Sequence, residues 1–245
     1  MSSRLRVGLI GAGRWGKVYI RTLAALGERC RLTHLCTSRP QNATLADHPV
    51  AVVSDWRELI RAACDAVVIA TPPHLHAEMV EACVEAGKPC IVEKPLCLDV
   101  ERAERLHRRI QASNTPVLVN HTYLFHPAYL ALKQALEEAG EPIRVILSEE
   151  GGFGPFRTHT LTVSPVRFST RYSKGSGEML EGSPIEFVQG PLPMARVITY
   201  FADGLSGGDR SRFGTALACD VVRLLAQCDA AMNGDTASHG SHAIS

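Results

Sequence analysis

Gly11, Gly13 and Gly16 follow the apolar run Leu5–Ile10 and precede the helix-compatible stretch 17–26. Glycines at this spacing, where a strand turns into a helix, make a phosphate cradle. The first takes a tight turn, the second lets the backbone approach a pyrophosphate, and the third lets the helix press on the strand. The open N–H groups of the helix's first turn then face the phosphates. Gly11, Ala12, Gly13, Arg14, Trp15 and Gly16 are therefore expected to hold a dinucleotide. The bland alternative is a glycine-rich turn with no ligand.

A second group of residues follows the next apolar run, 31–37. Ser38 and Arg39 stand where such a unit places its ribose-recognising group, and no acidic residue is there. A carboxylate would accept from a ribose 2′-OH and repel a 2′-phosphate, whereas a cation attracts the phosphate. Ser38 and Arg39 thus favour NADP over NAD; the alternative is that Arg39 merely opens a solvated loop with Pro40. A third group closes later apolar runs: Thr71, Pro72, His74 and His76 after 66–70, and Glu93 and Lys94 after 89–92.

Positioning these groups requires strands alternating with helices. Strands are expected at 31–37, 51–53, 66–70, 89–92 and 117–120, with helices at 56–63, 77–86 and 100–111. Asp55 with Glu58 resembles a capping box, Asp99 caps the last of these helices, and Gly87 closes the one before it. The rhythm means a parallel, doubly wound sheet with right-handed crossovers, whose ligands gather at the carboxyl ends of the strands. Beyond Pro127 the pattern changes. A helix to about Ala139, a strand at 144–148, an antiparallel hairpin of 168–173 with 185–188, and amphipathic helices at 192–205 and 215–232 are expected. A polar tail follows from Asn233.

Composition narrows the function classes. With 245 residues, 45% of them hydrophobic, the chain can hold one large or two modest domains around a real core. Its 26 basic and 25 acidic residues leave no long-range field for nucleic acid or an anionic membrane. No eighteen apolar residues run uninterrupted and no signal segment is evident, so the cytoplasm is the expected compartment. The eight cysteines form no C-x-x-C pair and are read as buried thiols. His74 and His76 lack further ligands for a metal, and none is expected.

Several stretches together resemble the Gfo/Idh/MocA family, the glucose-fructose oxidoreductase and inositol dehydrogenase type. They are Gly-Leu-Ile-Gly-Ala-Gly-Arg-Trp-Gly at 8–16, Ala-Thr-Pro-Pro-His-Leu-His at 70–76, Ala-Gly-Lys-Pro-Cys-Ile-Val-Glu-Lys-Pro-Leu at 86–96 and Val-Leu-Val-Asn-His-Thr-Tyr at 117–123. The resemblance implies an α/β fold, a Rossmann domain over 1–121 followed by a shortened α+β domain over 122–232 that binds substrate and mediates homo-oligomer contacts, with 213–232 as the closing helix back on the nucleotide domain; the polar composition of 233–245 implies a disordered tail. It implies an NAD(P)-dependent oxidoreductase acting on a sugar, cyclitol or related small molecule, with Lys94 in the catalytic role and Thr71, Pro72, His76, Glu93 and Lys94 beside the cofactor. A cation at a strand's carboxyl end suits that role, since it stabilises oxygen charge as hydride moves. The alternative for Lys94 is an exposed lysine paired to Glu93.

The family's Gly-x-His-x-x-Asp helix has no counterpart here. Between Glu150 and Gly190 the sole histidine is His159, with no Asp at helical spacing. A dehydrogenase must move a hydroxyl proton, and an ordinary lysine, titrating at about 10.4, is a poor acceptor at neutral pH. His121, His126 or His159 are the substitutes, none preferred over the others. Three readings stay open: an active reductase with a reorganised site, a nucleotide-binding pseudoenzyme, or the product of a gene that lost an internal piece.

Overall fold

The computed structural model describes residues 4–139, 171–173, 179–181 and 191–232. Six strands, β1 (Leu5–Ile10), β2 (Cys30–Cys36), β3 (Ala51–Val53), β4 (Ala66–Ile69), β5 (Cys90–Glu93) and β6 (Val117–Asn120), form one parallel sheet in the order β3-β2-β1-β4-β5-β6. The chain builds outward from β1 in one direction and from β4 in the other. The crevice between their carboxyl ends is the topological switch point at which such sheets bind ligands.

Strands β4, β5 and β6 are buried at every residue, as a parallel sheet covered on both faces requires. The covering helices are α1 (Arg14–Ala25), α2 (Trp56–Arg61), α3 (His76–Glu85) and α4 (Val100–Ala112). α4 shows why the sequence folds this way. Ala103, Leu106 and Ile110 recur at helical spacing and are buried, while its other face is charged. Asp99 accepts from the Arg102 backbone N–H at 2.7 Å, and Asp55 accepts from that of Arg57 at 2.9 Å to cap α2. Gly87, with φ +60°, ends α3. α2 stops at Arg61, two residues short of expectation, because Ala62 is already extended.

Two later helices, α6 (Pro193–Leu205) and α7 (Ala216–Met232), pack with this sheet. The chain between them touches the sheet edge, where the Gly214 N–H donates to the Val117 carbonyl at 2.8 Å. α7 is tied to α4 by Arg223–Glu104 at 3.0 Å, and Thr215 just before it by His107 at 2.8 Å. Phe201 of α6 stacks on Phe213. The expected second domain extended to 232, whereas the contacts group Met194 onward with the nucleotide domain and leave 122–193 as a separate unit.

Within that second unit, α5 (Pro127–Ala139) lies where the sequence places a helix. Strand β7 (Arg171–Ser173) pairs antiparallel with β8 (Met179–Glu181), Arg171 opposite Glu181. The hairpin partner is thus 179–181, while the stretch 185–188 expected for it lies outside the described residues, as do the strand expected at 144–148, His159 and the tail from 233. Seven of the eight cysteines are buried, but Cys228, near the end of α7, is exposed.

Candidate nucleotide and catalytic site

The ladder register sets the site. Cys36, Ile10, Ile69, Val92 and Val119 stand side by side across β2, β1, β4, β5 and β6. Just beyond this row the chain continues at the strand ends with Gly11, Ala70, Glu93 and Asn120, followed by Lys94 and His121.

The three glycines are held by three different constraints. Gly11 has φ +96°, and an added Cβ would lie 2.6 Å from the Ala70 carbonyl oxygen. Its N–H donates to the Cys36 carbonyl at 2.8 Å, drawing the turn against β2. A Cβ on Gly16 would lie 2.0 Å from the Gly11 carbonyl oxygen, so the first turn of α1 sits directly on the glycine loop. A Cβ on Gly13 would meet nothing within 4 Å. The fold itself crowds the first and third glycines, and the second borders open space at the start of α1. Gly13 caps that helix with no side-chain hydrogen bond. A diphosphate placed there would face the open N–H groups of the first turn.

Asn42, which the sequence gave no reason to single out, steadies this loop. It is buried, and its Nδ2 donates to the Ala12 carbonyl at 2.8 Å from the short 3₁₀ turn Pro40–Leu45. The same turn is entered through Ser38 and Arg39, which are exposed at the end of β2. The Arg39 N–H donates to Thr37 Oγ1 at 3.0 Å, and Arg14 and Trp15 are exposed at the start of α1.

At the end of β4, Pro72 is exposed and Thr71 half-buried, its hydroxyl 3.5 Å from Met79 Sδ. His76 differs from its expected place beside the cofactor. It is 1% exposed, with Nδ1 2.7 Å from the Pro95 carbonyl oxygen and Nε2 2.8 Å from that of Thr71. It links the loops after β4 and β5 from behind, and neither ring nitrogen is left for a ligand. His74 remains exposed.

Glu93 likewise turns inward. It is 4% exposed and accepts from Tyr19 Oη at 2.9 Å and Asn120 Nδ2 at 2.7 Å, while Asn120 Nδ2 also lies 2.8 Å from Tyr19 Oη. Burial pushes the Glu93 carboxyl above the usual glutamate range, against the hydrogen bonds from Asn120 and Tyr19 that favour its charge. Burial and the neighbouring Glu93 also push the Tyr19 phenol well up. This buried knot joins α1, β5 and β6 beneath the crevice. The Lys94 side chain is exposed and makes no close ion pair with Glu93, although its backbone N–H and its charge favour the carboxylate. Tyr19 reads in sequence only as an apolar helix position; the clue to the network was polar residues closing otherwise apolar strands.

His121 continues from Asn120 with its N–H donating to the Val119 carbonyl at 2.9 Å. Its Nε2 is buried without a hydrogen-bond partner among the described residues. Burial, and then the Lys94 charge, lower its pKa from the ordinary histidine value.

The site thus combines a glycine turn at a switch point with a cation at the adjoining strand end, in a Rossmann-like dinucleotide-binding fold. A family model described as an oxidoreductase family with an NAD-binding Rossmann fold matches residues 5–121, which supports the resemblance of this domain to the Gfo/Idh/MocA family. The chain is 31% identical over 136 residues to an inositol 2-dehydrogenase of Rhizobium meliloti, a match spanning 55% of this chain and 41% of that relative. The structure of a scyllo-inositol dehydrogenase from Lactobacillus casei with bound NAD(H) and scyllo-inositol superposes with a TM-score of 0.53 at 26% identity, covering 59% of this chain and 43% of that one. A solved structure from Magnetospirillum magnetotacticum gives a TM-score of 0.75 at 28% identity, covering 91% of this chain and 99% of that one. The chain therefore spans about half or less of the length of the inositol dehydrogenases it matches. Among the described residues no helix is long and apolar enough to cross a membrane.

Proposed function

We propose that the protein is an NAD(P)-dependent oxidoreductase that moves hydride between a nicotinamide and a hydroxyl- or carbonyl-bearing carbon of a sugar, cyclitol or related small molecule. The observation that carries this reading is the division of labour among the glycines. Gly11 and Gly16 are crowded by the protein's own backbone, but Gly13 opens on space, as a turn that receives a diphosphate requires. The resemblance to inositol dehydrogenases supports the substrate class.

In this reading Gly11 to Gly16 hold the diphosphate, Arg14 and Trp15 flank it, and Thr71 and Pro72 line the approach to the nicotinamide. The bound nicotinamide supplies the hydride acceptor or donor. Lys94 binds the substrate oxygen and stabilises its developing negative charge. Glu93, Tyr19 and Asn120 hold the strand end that carries Lys94, and His76 fixes the loops on either side. Ser38 and Arg39 favour NADP, because a guanidinium at the end of β2 attracts a 2′-phosphate and no carboxylate opposes it.

Isothermal titration with NADPH and NADH, followed by an oxidation screen over sugars and inositols, tests the proposal. Binding with turnover on at least one polyol is expected. Binding without turnover on any of them would favour the pseudoenzyme.

A further inference from the structure

The reaction just proposed releases a proton whenever an alcohol is oxidised, and some group must accept it. The sequence lacks the family's usual histidine helix. Three features of His121 bear on this. It follows Asn120, whose register partner is Glu93, and so stands one position beyond the ladder just as Lys94 does on the neighbouring strand. Its Nε2 is buried with no hydrogen-bond partner among the described residues. Buried side-chain nitrogens are nearly always partnered, so an unpartnered one on the residue that follows a strand end of the sheet calls for a ligand. Lys94, the charged group that acts on it among the described residues, lies close enough for its field to be felt.

We infer that His121 is the proton-transfer residue of the site, with Nε2 as the working atom. This rests on the oxidoreductase reading above. In the oxidative direction the substrate O–H bond breaks and its proton forms an N–H bond on Nε2. The carbon-bound hydrogen leaves with its electron pair to the oxidised nicotinamide, and the carbon–oxygen bond becomes a carbonyl; reduction returns the same proton. Burial and the Lys94 cation both disfavour the imidazolium, so the ring is neutral and able to accept at neutral pH. Lys94 and His121 then divide the work: the cation holds the oxygen, and the imidazole takes its proton.

The test compares the full-length wild type with His121→Asn, His121→Gln and Lys94→Ala. NADPH and NADH binding is measured by calorimetry, turnover with myo-inositol and scyllo-inositol, and the His121 ring titration by NMR. Both His121 variants are expected to bind nucleotide within about twofold of wild type and to lose turnover by about 10²–10⁴-fold, the usual contribution of a positioned acid or base. The acid limb of the pH profile should vanish with them. The His121 ring should titrate below an ordinary histidine and move upward in Lys94→Ala. Reading two variants keeps the test intact if one fails to fold. Failure of the wild type to bind either nucleotide overturns the oxidoreductase reading and this inference with it. Binding with turnover retained in either His121 variant overturns this inference alone. If the wild type binds nucleotide but is inert on both inositols, an ordinary His121 titration unmoved by Lys94→Ala overturns it.

Discussion

Replacing Gly13 and Gly16 separately by alanine should split binding from stability, because the two positions face opposite constraints. At Gly16 the new Cβ would stand 2.0 Å from the Gly11 carbonyl oxygen and 2.8 Å from its carbonyl carbon, against ordinary contact from 3.4 Å. Both obstacles are backbone, so the helix and the glycine loop must separate. That places Gly16→Ala at the upper end of overpacking effects, about 3 kcal/mol or more, and lowers the thermal midpoint by about 6–12 °C in a chain of this size. At Gly13 the Cβ meets nothing within 4 Å, and the backbone there is extended. The weaker capping by alanine costs about 0.5–1 kcal/mol, and the stiffer unfolded chain offsets about 0.4–1 kcal/mol of it. Gly13→Ala should therefore melt within about 3 °C of wild type. Its methyl group would occupy the space proposed for the diphosphate. Losing one charge-assisted hydrogen bond there costs about 2 kcal/mol, or roughly 30-fold in Kd. Calorimetric unfolding and titration with NADPH and NADH on both variants decide the matter. A Gly13→Ala protein that binds nucleotide like wild type would refute the cradle, and a Gly16→Ala protein that melts like wild type would refute the packing argument.

Arg39→Asp should weaken NADPH binding by about 10–100-fold, the loss of one or two charge-assisted contacts, while leaving NADH within about threefold; unchanged NADPH affinity in the same titration would remove Arg39 from the site. Glu93→Gln tests the buried knot through pH. The raised Glu93 pKa means that the folded state holds its proton over a window above the ordinary value of about 4.3, so wild-type stability falls as pH rises through that window. Glutamine does not titrate, and urea midpoints from about pH 4 to 7 should decline less steeply in the variant; parallel curves would contradict the assignment. His76→Ala leaves the Thr71 and Pro95 carbonyl oxygens without their buried partner. It should cost about 2–5 kcal/mol in urea unfolding; a loss under about 0.5 kcal/mol would show that the link is not structural.

Much of the nucleotide domain was legible because its signals are local. The run Leu5–Ile10 becomes β1, the apolar stretch from Val117 becomes β6, Asp55 and Asp99 begin helices and Gly87 ends one as their chemistry dictates. What escaped was tertiary. Nothing in the periodicity of α1 separates Tyr19 from Ile20, yet only Tyr19 has a hydroxyl that reaches a carboxylate 74 positions away. His76 carries the right type and place for a cofactor contact, but the strand-end loops close around it and take both nitrogens. Glu93 and Lys94 are sequence neighbours, yet Glu93 is buried and hydrogen-bonds Tyr19 and Asn120 while Lys94 is exposed, a division that adjacency does not suggest. At the sheet edge beside β6, the bond from the Gly214 N–H to Val117 has no local signal in the sequence.

The most direct test of the central claim is a crystal structure of the full chain with NADPH. The account predicts the diphosphate over Gly13 at the start of α1, and the nicotinamide at the ends of β5 and β6 beside Lys94. A nucleotide bound elsewhere, or a cradle left empty at saturating NADPH while the fold is intact, would contradict it.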